Sequence, residues 1–365
     1  MRLAAAVIRP AYHAGQMTTA QRWLGAIGDA NIGRYPPLAV MAAWMGLLTG
    51  DTAGPQRWAA FVEAASFDGV PTDGSASFES ARAMLRAGLC ASGPDQMTAD
   101  AAFAVAHEPA WSPWRADALW MLGEAHLLAG HPGEARAAFA EGSATAAALQ
   151  IPAAITICES QLAQLAMDGG EWQEAASRLE LALATIDQNR MHEYVHAIPA
   201  FAGAARLSLH RGDLNEASRQ LTQATGALPS ATYLLPYRAV RLRLQMARVY
   251  LALADMATAR QLLREIDDIL RHRPALGTLT GEVEQFRGLT SGAAGAVTGR
   301  PPLTPAELRL LPYLQTHLTA DRIAERLFVS SWTVKTEVKA IYRKLGVSSR
   351  NDAVQKAAAI GLLST

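Results

Sequence analysis

LTPAELRLLPYLQTHLTADRIAERLFVSSWTVKTEVKAIYRKLGVSSRNDAV, residues 303–354, is the stretch from which the rest of the chain can be read. Its middle predicts a short helix over Ala320–Leu327, a three-residue turn (Phe328, Val329, Ser330) and a second helix from Ser331 to about Leu345. Ile323, Ala324 and Leu327, then Val334, Val338, Ile341 and Leu345, recur at three- and four-residue spacings. Each helix therefore has one apolar face to bury. The second helix also carries Lys335, Lys339, Arg343 and Lys344. Two short amphipathic helices across a tight turn, the second of them basic, describe a helix-turn-helix whose second helix fits the DNA major groove.

Working back from this stretch, the chain is helix after helix, with Ala, Leu, Glu, Gln and Arg in the periodic segments and little strand-type alternation. One phrase recurs: GHPGEA (130–135), GEWQEA (170–175), GDLNEA (212–217) and ADMATA (254–259), its closing alanines at 135, 175, 217 and 259. Each phrase separates two apolar helical segments, so each unit is a helix hairpin. A fixed period near 40 residues predicts a stacked solenoid in which each hairpin buries its face against its neighbours. The small Ala lets the two helices approach, and the Gly suits a left-handed cap. From Ala30 to about Ala110 the period is blurred. Residues Thr290–Gly299 lack bulky side chains and read as a flexible tether that leads into Arg300-Pro301-Pro302. The expected architecture is all-α: a helical-repeat body over 1–289, a linker over 290–302 and a helix-turn-helix head over 303–365.

The 365 residues carry equal numbers of basic and acidic side chains, but unevenly. From Arg300 onward there are 10 Lys and Arg against 5 Asp and Glu, which leaves 23 basic and 28 acidic residues before it. A basic end on an acidic body fits a chain whose end meets phosphate. Cys90 and Cys158 lie in helical patterns without CxxC spacing and read as buried thiols of a reducing cytoplasm. No apolar run has the length to span a bilayer, and Arg9-Pro10 interrupts the opening MRLAAAVIRP before a signal core is complete. A cytoplasmic location is expected.

The C-terminal stretch resembles the DNA-binding domain of LuxR-type (GerE-type) bacterial transcription regulators. The resemblance rests on L-T-x-x-E at Leu303–Glu307, I-A-x-x-L at Ile323–Leu327, S-x-x-T-V-K at Ser330–Lys335 and I-Y-R-K-L-G-V at Ile341–Val347. The long repeat is similar to the tetratricopeptide-like region of maltose-regulator-type LuxR proteins, where it lies between an ATPase module and the DNA-binding domain. No Lys occurs before residue 335, so the P-loop that such an ATPase needs is not present in this chain. A receiver domain would need an active-site Lys and alternating strands, and neither is available in the helical body. Nor does the body read as the α/β ligand domain of quorum-sensing relatives.

His192-Glu193-Tyr194-Val195-His196 matches HExxH, in which two histidines one helical turn apart bind zinc. Pro199 occupies the position of the Gly in the extended motif, and polar residues at a helix start explain the match better. No catalytic residue, metal or cofactor is expected. The tryptophans Trp23, Trp44, Trp58, Trp111, Trp114, Trp120 and Trp172 read as fillers between stacked helices, with a ligand groove as the alternative. Arg238, Arg241, Arg243 and Arg248 read as one solvated helix face, with contact to an anionic effector as the alternative.

The resemblance places Lys335, Thr336 and Lys339 at base edges and Arg343 and Lys344 nearer the DNA backbone. Trp332 and Thr333 belong to the same helix start, and Thr319 and Ser330 are candidate helix caps whose N–H groups could meet phosphate. Glu337 stands where relatives commonly have His or Asn, so it alters specificity or points away. Pro312 predicts a shortened or bent first helix. The last helix, Arg350–Ile360, carries Ala353, Val354, Ala357 and Ile360 on one face, for a homodimer on two-fold DNA or for packing within the chain. The function expected is a sequence-specific, double-stranded-DNA-binding regulator whose head is controlled by a body that takes a small-molecule or protein effector. The alternative is a protein-binding scaffold with a weak DNA contact.

Overall fold

A computed structural model describes residues 1–14, 16–294, 303–316, 318–327, 329–359 and 362–363. Among them there is no strand. Four N-terminal helices, α1 (Arg2–His13), α2 (Met17–Ile27), α3 (Asp29–Ile32) and α4 (Pro36–Thr49), lead into α5 (Ala53–Ala64), α6 (Phe78–Leu89) and α7 (Pro94–His107). The four hairpins expected from the repeated phrase follow. They are α8 (Arg115–Ala129) with α9 (Pro132–Ala148), α10 (Pro152–Asp168) with α11 (Trp172–Asn189), α12 (Ile198–Arg211) with α13 (Leu214–Ala227), and α14 (Pro236–Ala252) with α15 (Met256–His272). Helix α16 (Thr278–Ala294) closes the body.

The repeated phrase sets the hairpin geometry. Gly130, Gly170 and Gly212 sit at φ near +80°, and Ala254 takes the same left-handed turn at φ +63°. The closing alanines Ala135, Ala175, Ala217 and Ala259 are all fully buried, one turn into the second helix of each pair. Beside them Gly123 accepts the Phe139 ring so closely that a Cβ would stand 2.4 Å from it. Prolines open many of these helices (Pro94, Pro132, Pro152, Pro236), where the missing N–H costs nothing.

The pairing extends into the blurred region, where α4 packs on α5 and α6 on α7. Helix α4 is buried almost all round, from Pro37 to Met45, so it shows no one-sided apolar stripe. The long loop 65–77 is pinned by the buried carboxylate of Glu108, which accepts from Ala76 N at 3.1 Å, from Ser80 Oγ at 2.5 Å and from Ser112 Oγ. The solenoid then curls until its last helix meets its middle, with Thr278 Oγ1 donating to Leu127 O at 2.8 Å. Gly277, at φ +56°, makes that approach possible, since a Cβ there would lie 2.0 Å from Leu128 O.

Two expectations are corrected. Helix α16 runs through 290–294, and Thr290 is buried with its hydroxyl donating to Arg287 O at 2.9 Å, so a linker cannot begin at 290. The remainder of the expected linker, 295–302, lies outside the described residues. The arginines of α14 are not a solvated face: Arg241, Arg243 and Arg248 pair with Glu124 (3.2 Å), Glu265 (2.8 Å) and Glu282 (3.1 Å), and Arg238 is buried. Both cysteines are buried free thiols, and burial pushes the Cys90 thiol up to about 11. No helix among the described residues is long and apolar enough to cross a membrane.

The head comprises α17 (Pro305–Leu310), a 3-10 turn over Leu311–Gln315, α18 (Ala320–Leu327), α19 (Ser331–Leu345) and α20 (Arg350–Ala359). Pro312 has the foreseen effect, because the α-helix stops at Leu310 and tightens into the 3-10 turn. Helix α17 packs against α12 and α20 against α16, so the head's apolar core is continuous with that of the body.

Candidate nucleic-acid interface

The candidate interface centres on α19, and hydroxyl caps open both α19 and α18. Ser330 is the N-cap of α19, its Oγ accepting from Thr333 N at 3.0 Å. Thr319 caps α18 more loosely, Oγ1 accepting from Arg322 N at 3.4 Å. Asp321 of α18 accepts from the Ser331 hydroxyl, tying the two helices together across the turn. Val334 and Ile341 are fully buried, with Val338 and Leu345 packed beside them, so one face of α19 is committed to the core.

At 3.6 residues per turn, the opposite face collects Trp332, Lys335, Thr336, Lys339 and Arg343. All five are exposed, Trp332 to 75%. The ion pairs found within the head are Arg322–Glu325 (3.0 Å) and Lys344–Glu307 (2.7 Å), and among the described residues neither involves Lys335, Lys339 or Arg343. This stripe is therefore a row of solvated cations flanked by one hydroxyl and one indole. The body leaves it uncovered.

Lys344, expected near the DNA backbone, does not join the stripe. It lies round the helix on the side of α17, and its side chain is only 8% exposed, held against the buried Glu307. Glu307 also closes a capping box, Oε2 accepting from Thr304 N at 2.6 Å while its own N–H donates to Thr304 Oγ1 at 3.2 Å. Glu307 thus joins the start of α17 to the last turn of α19. The T-x-x-E pattern at Thr304–Glu307 signals the box, but not the partner 37 residues away.

Glu337 is half-buried on the flank of α19, beside Arg309, Leu327 and Thr333, well round the helix from Lys339. Ala353 and Ala357 are fully buried within the chain, so packing takes up two residues of the last helix's apolar face, and Ile360 lies outside the described residues. Arg350 donates to the carbonyls of Tyr313 (2.8 Å), Leu314 (3.0 Å), Thr316 (2.6 Å) and Leu318 (2.9 Å). It fixes the loop that delivers α18, a role with no local sequence signal. Arg322 and Arg326 on α18 are exposed and add cations near the turn.

The HExxH pair does not form a helical turn. His192 lies in a turn and meets Asp187 at 2.8 Å, whereas His196 is buried in a 3-10 segment against Tyr12 Oη at 2.8 Å. Pro199 opens α12 just beyond it. Of the tryptophans, Trp44, Trp58, Trp114 and Trp120 are buried, Trp172 stacks on His210 at 3.7 Å, and Trp23 and Trp111 reach the surface.

Residues 301–357 match the family model of bacterial regulatory proteins, luxR family. The HTH-type transcriptional regulator MalT of Yersinia enterocolitica is 33% identical over 99 residues, 27% of this chain and 11% of that protein. Its counterpart in Yersinia pestis is 32% identical over the same shares. The chain thus matches only a small part of the length of these relatives. The crystal structure of a Rap protein complexed with competence and sporulation factor superposes with a TM-score of 0.50 at 12% identity, covering 96% of this chain and 97% of that one. That likeness is one of fold. The C-terminal unit of the chain is a LuxR-family helix-turn-helix domain, carried on a helical-repeat body.

Proposed function

We propose that the chain is a sequence-specific DNA-binding transcription regulator in which α19 reads the major groove and the helical-repeat body takes an effector that governs the head. The observation that carries the DNA reading is the exposed stripe of Trp332, Lys335, Thr336, Lys339 and Arg343 on a helix whose other face is locked into the head. Lys335, Thr336 and Lys339 lie at the start and middle of the helix, where base edges come within reach. Arg343 is one turn further on and suits a phosphate, as do the N–H groups at the Ser330 cap and the Thr333 hydroxyl. Lys344 is left out of this set, because its charge is already spent on Glu307.

Fluorescence anisotropy of the full chain on labelled duplexes, repeated over a salt series, tests the reading. Binding should weaken steeply with salt, and Arg343→Ala should flatten the log–log slope by about one unit on every sequence. The Lys335→Ala, Lys339→Ala double variant should lose roughly 2–6 kcal/mol on a preferred duplex and much less on an unrelated one. Indifference to both changes would leave a protein-binding scaffold as the better description.

A further inference from the structure

The body holds a cavity where the N-terminal helices press into the coil. It leaves about 50 Å³ of room, open at the mouth, between α1, α4, α8, α14 and the segment at His196. Its walls are mostly apolar and aromatic, with Trp44, Trp120, Met41, Met45, Met121 and Leu235 prominent. Such a lining, apolar walls with a few polar groups, is that of a small-molecule site.

The charges around it do not balance. Arg9 pairs with Asp117 and also donates to Pro113 O at 2.5 Å, while its guanidinium lies 4.3 Å over the Trp114 ring. Arg241 pairs with Glu124 at 3.2 Å. Both nearby carboxylates are thus taken. Arg238, which lines the cavity, is 4% exposed, and none of its three guanidinium nitrogens has a hydrogen-bond partner among the described residues. The Trp120 ring lies 5.5 Å from the guanidinium carbon, and Glu124, already bonded to Arg241, favours the charge only at a distance. Burial lowers the arginine's pKa from its ordinary value, but a guanidinium stays charged in proteins. A cation buried without a hydrogen-bond partner is destabilising and persists where something else offsets it.

The hydrogen-bonding groups are as lopsided as the charge. The indole N–H groups of Trp44 and Trp120 also lack acceptors among the described residues. The cavity therefore offers several unspent donors, while the carboxylate in its wall, Asp117, is already engaged by Arg9. An occupant must bring acceptors, one negative charge and apolar surface.

We infer that this cavity is a binding site for a small organic carboxylate, its carboxylate seated on Arg238 and its apolar body lying among Trp44, Trp120 and the methionines. A planar guanidinium accepts a carboxylate in a two-pronged bond, and the tryptophan N–H groups supply further donors. The walls disfavour an inorganic anion, which would have to shed water against methionine and tryptophan for one ion pair. The site deepens the reading of the body as the effector-taking part, and rests on that reading for its regulatory consequence alone.

Calorimetry on the full chain without DNA tests it, so its outcome is separate from that of the DNA reading. The probes are straight-chain carboxylates from acetate to octanoate and phenylacetate, each matched with its primary amide, together with inorganic phosphate. Affinity should rise roughly fourfold per added methylene until the cavity is full. The amides should bind at least about tenfold more weakly. Arg238→Met should erase the carboxylate preference while melting no lower than the parent, since it removes an unpaired buried charge. Arg238→Lys should keep the preference at reduced affinity. Four results would each overturn the inference: no binding across the series, amides that match carboxylates, phosphate that binds as well as the best carboxylate, or a preference that survives Arg238→Met.

Discussion

Lys335, Lys339 and Arg343 reach solvent from one stripe of α19, whereas Lys344, the next residue after Arg343, is held by Glu307 at 2.7 Å. The two kinds of cation should answer differently to substitution. Lys344→Met strands a buried carboxylate, and breaking such a pair costs about 3 kcal/mol. Urea unfolding of the full chain, followed by circular dichroism, should show this as an early loss of helix. Lys335→Met touches only solvent and should stay within about 0.5 kcal/mol of the parent. The difference was partly legible in the sequence, because helical spacing alone puts Lys344 off the Trp332–Lys339 stripe. That Glu307 would be waiting there was not legible. Arg238 was illegible for the same reason: its surroundings come from α1, α4 and α8, more than a hundred residues away. A local pattern registers an arginine on a helix, not what later encloses it.

The helices themselves follow from local chemistry where that chemistry is repeated. The turn phrase places a left-handed residue at each hairpin corner and a buried alanine one turn beyond, and all four hairpins obey it. Enlarging that alanine should force the pair apart. Ala217→Leu, at the contact between α13 and α12, should cost about 1–3 kcal/mol by thermal unfolding, while Ser218→Leu on the exposed side of the same helix should cost little. Elements without a one-sided pattern were the ones misread or left blurred. Helix α4 is apolar on every side because it is enclosed on every side. The last turn and a half of α16 (290–294) reads as a tether, since its Thr, Ser, Gly and Ala carry no stripe, yet Thr290 is buried in the packing of the helix.

At the scale of the molecule, a coiled repeat body carries a small basic head whose core joins its own. The head rests on α12 and α16 through α17 and α20, and the basic stripe of α19 is turned to solvent. A ligand in the body would reach the head through packed helices. Selection of bound duplexes from a random pool, at roughly physiological salt where non-specific phosphate binding is weak, tests the central claim most directly. The full chain should enrich a defined sequence motif, and the Lys335→Ala, Lys339→Ala chain, folded to the same helical content, should not. A pool that stays random with the parent chain, or the same motif emerging from both chains, would contradict α19 as the reading helix.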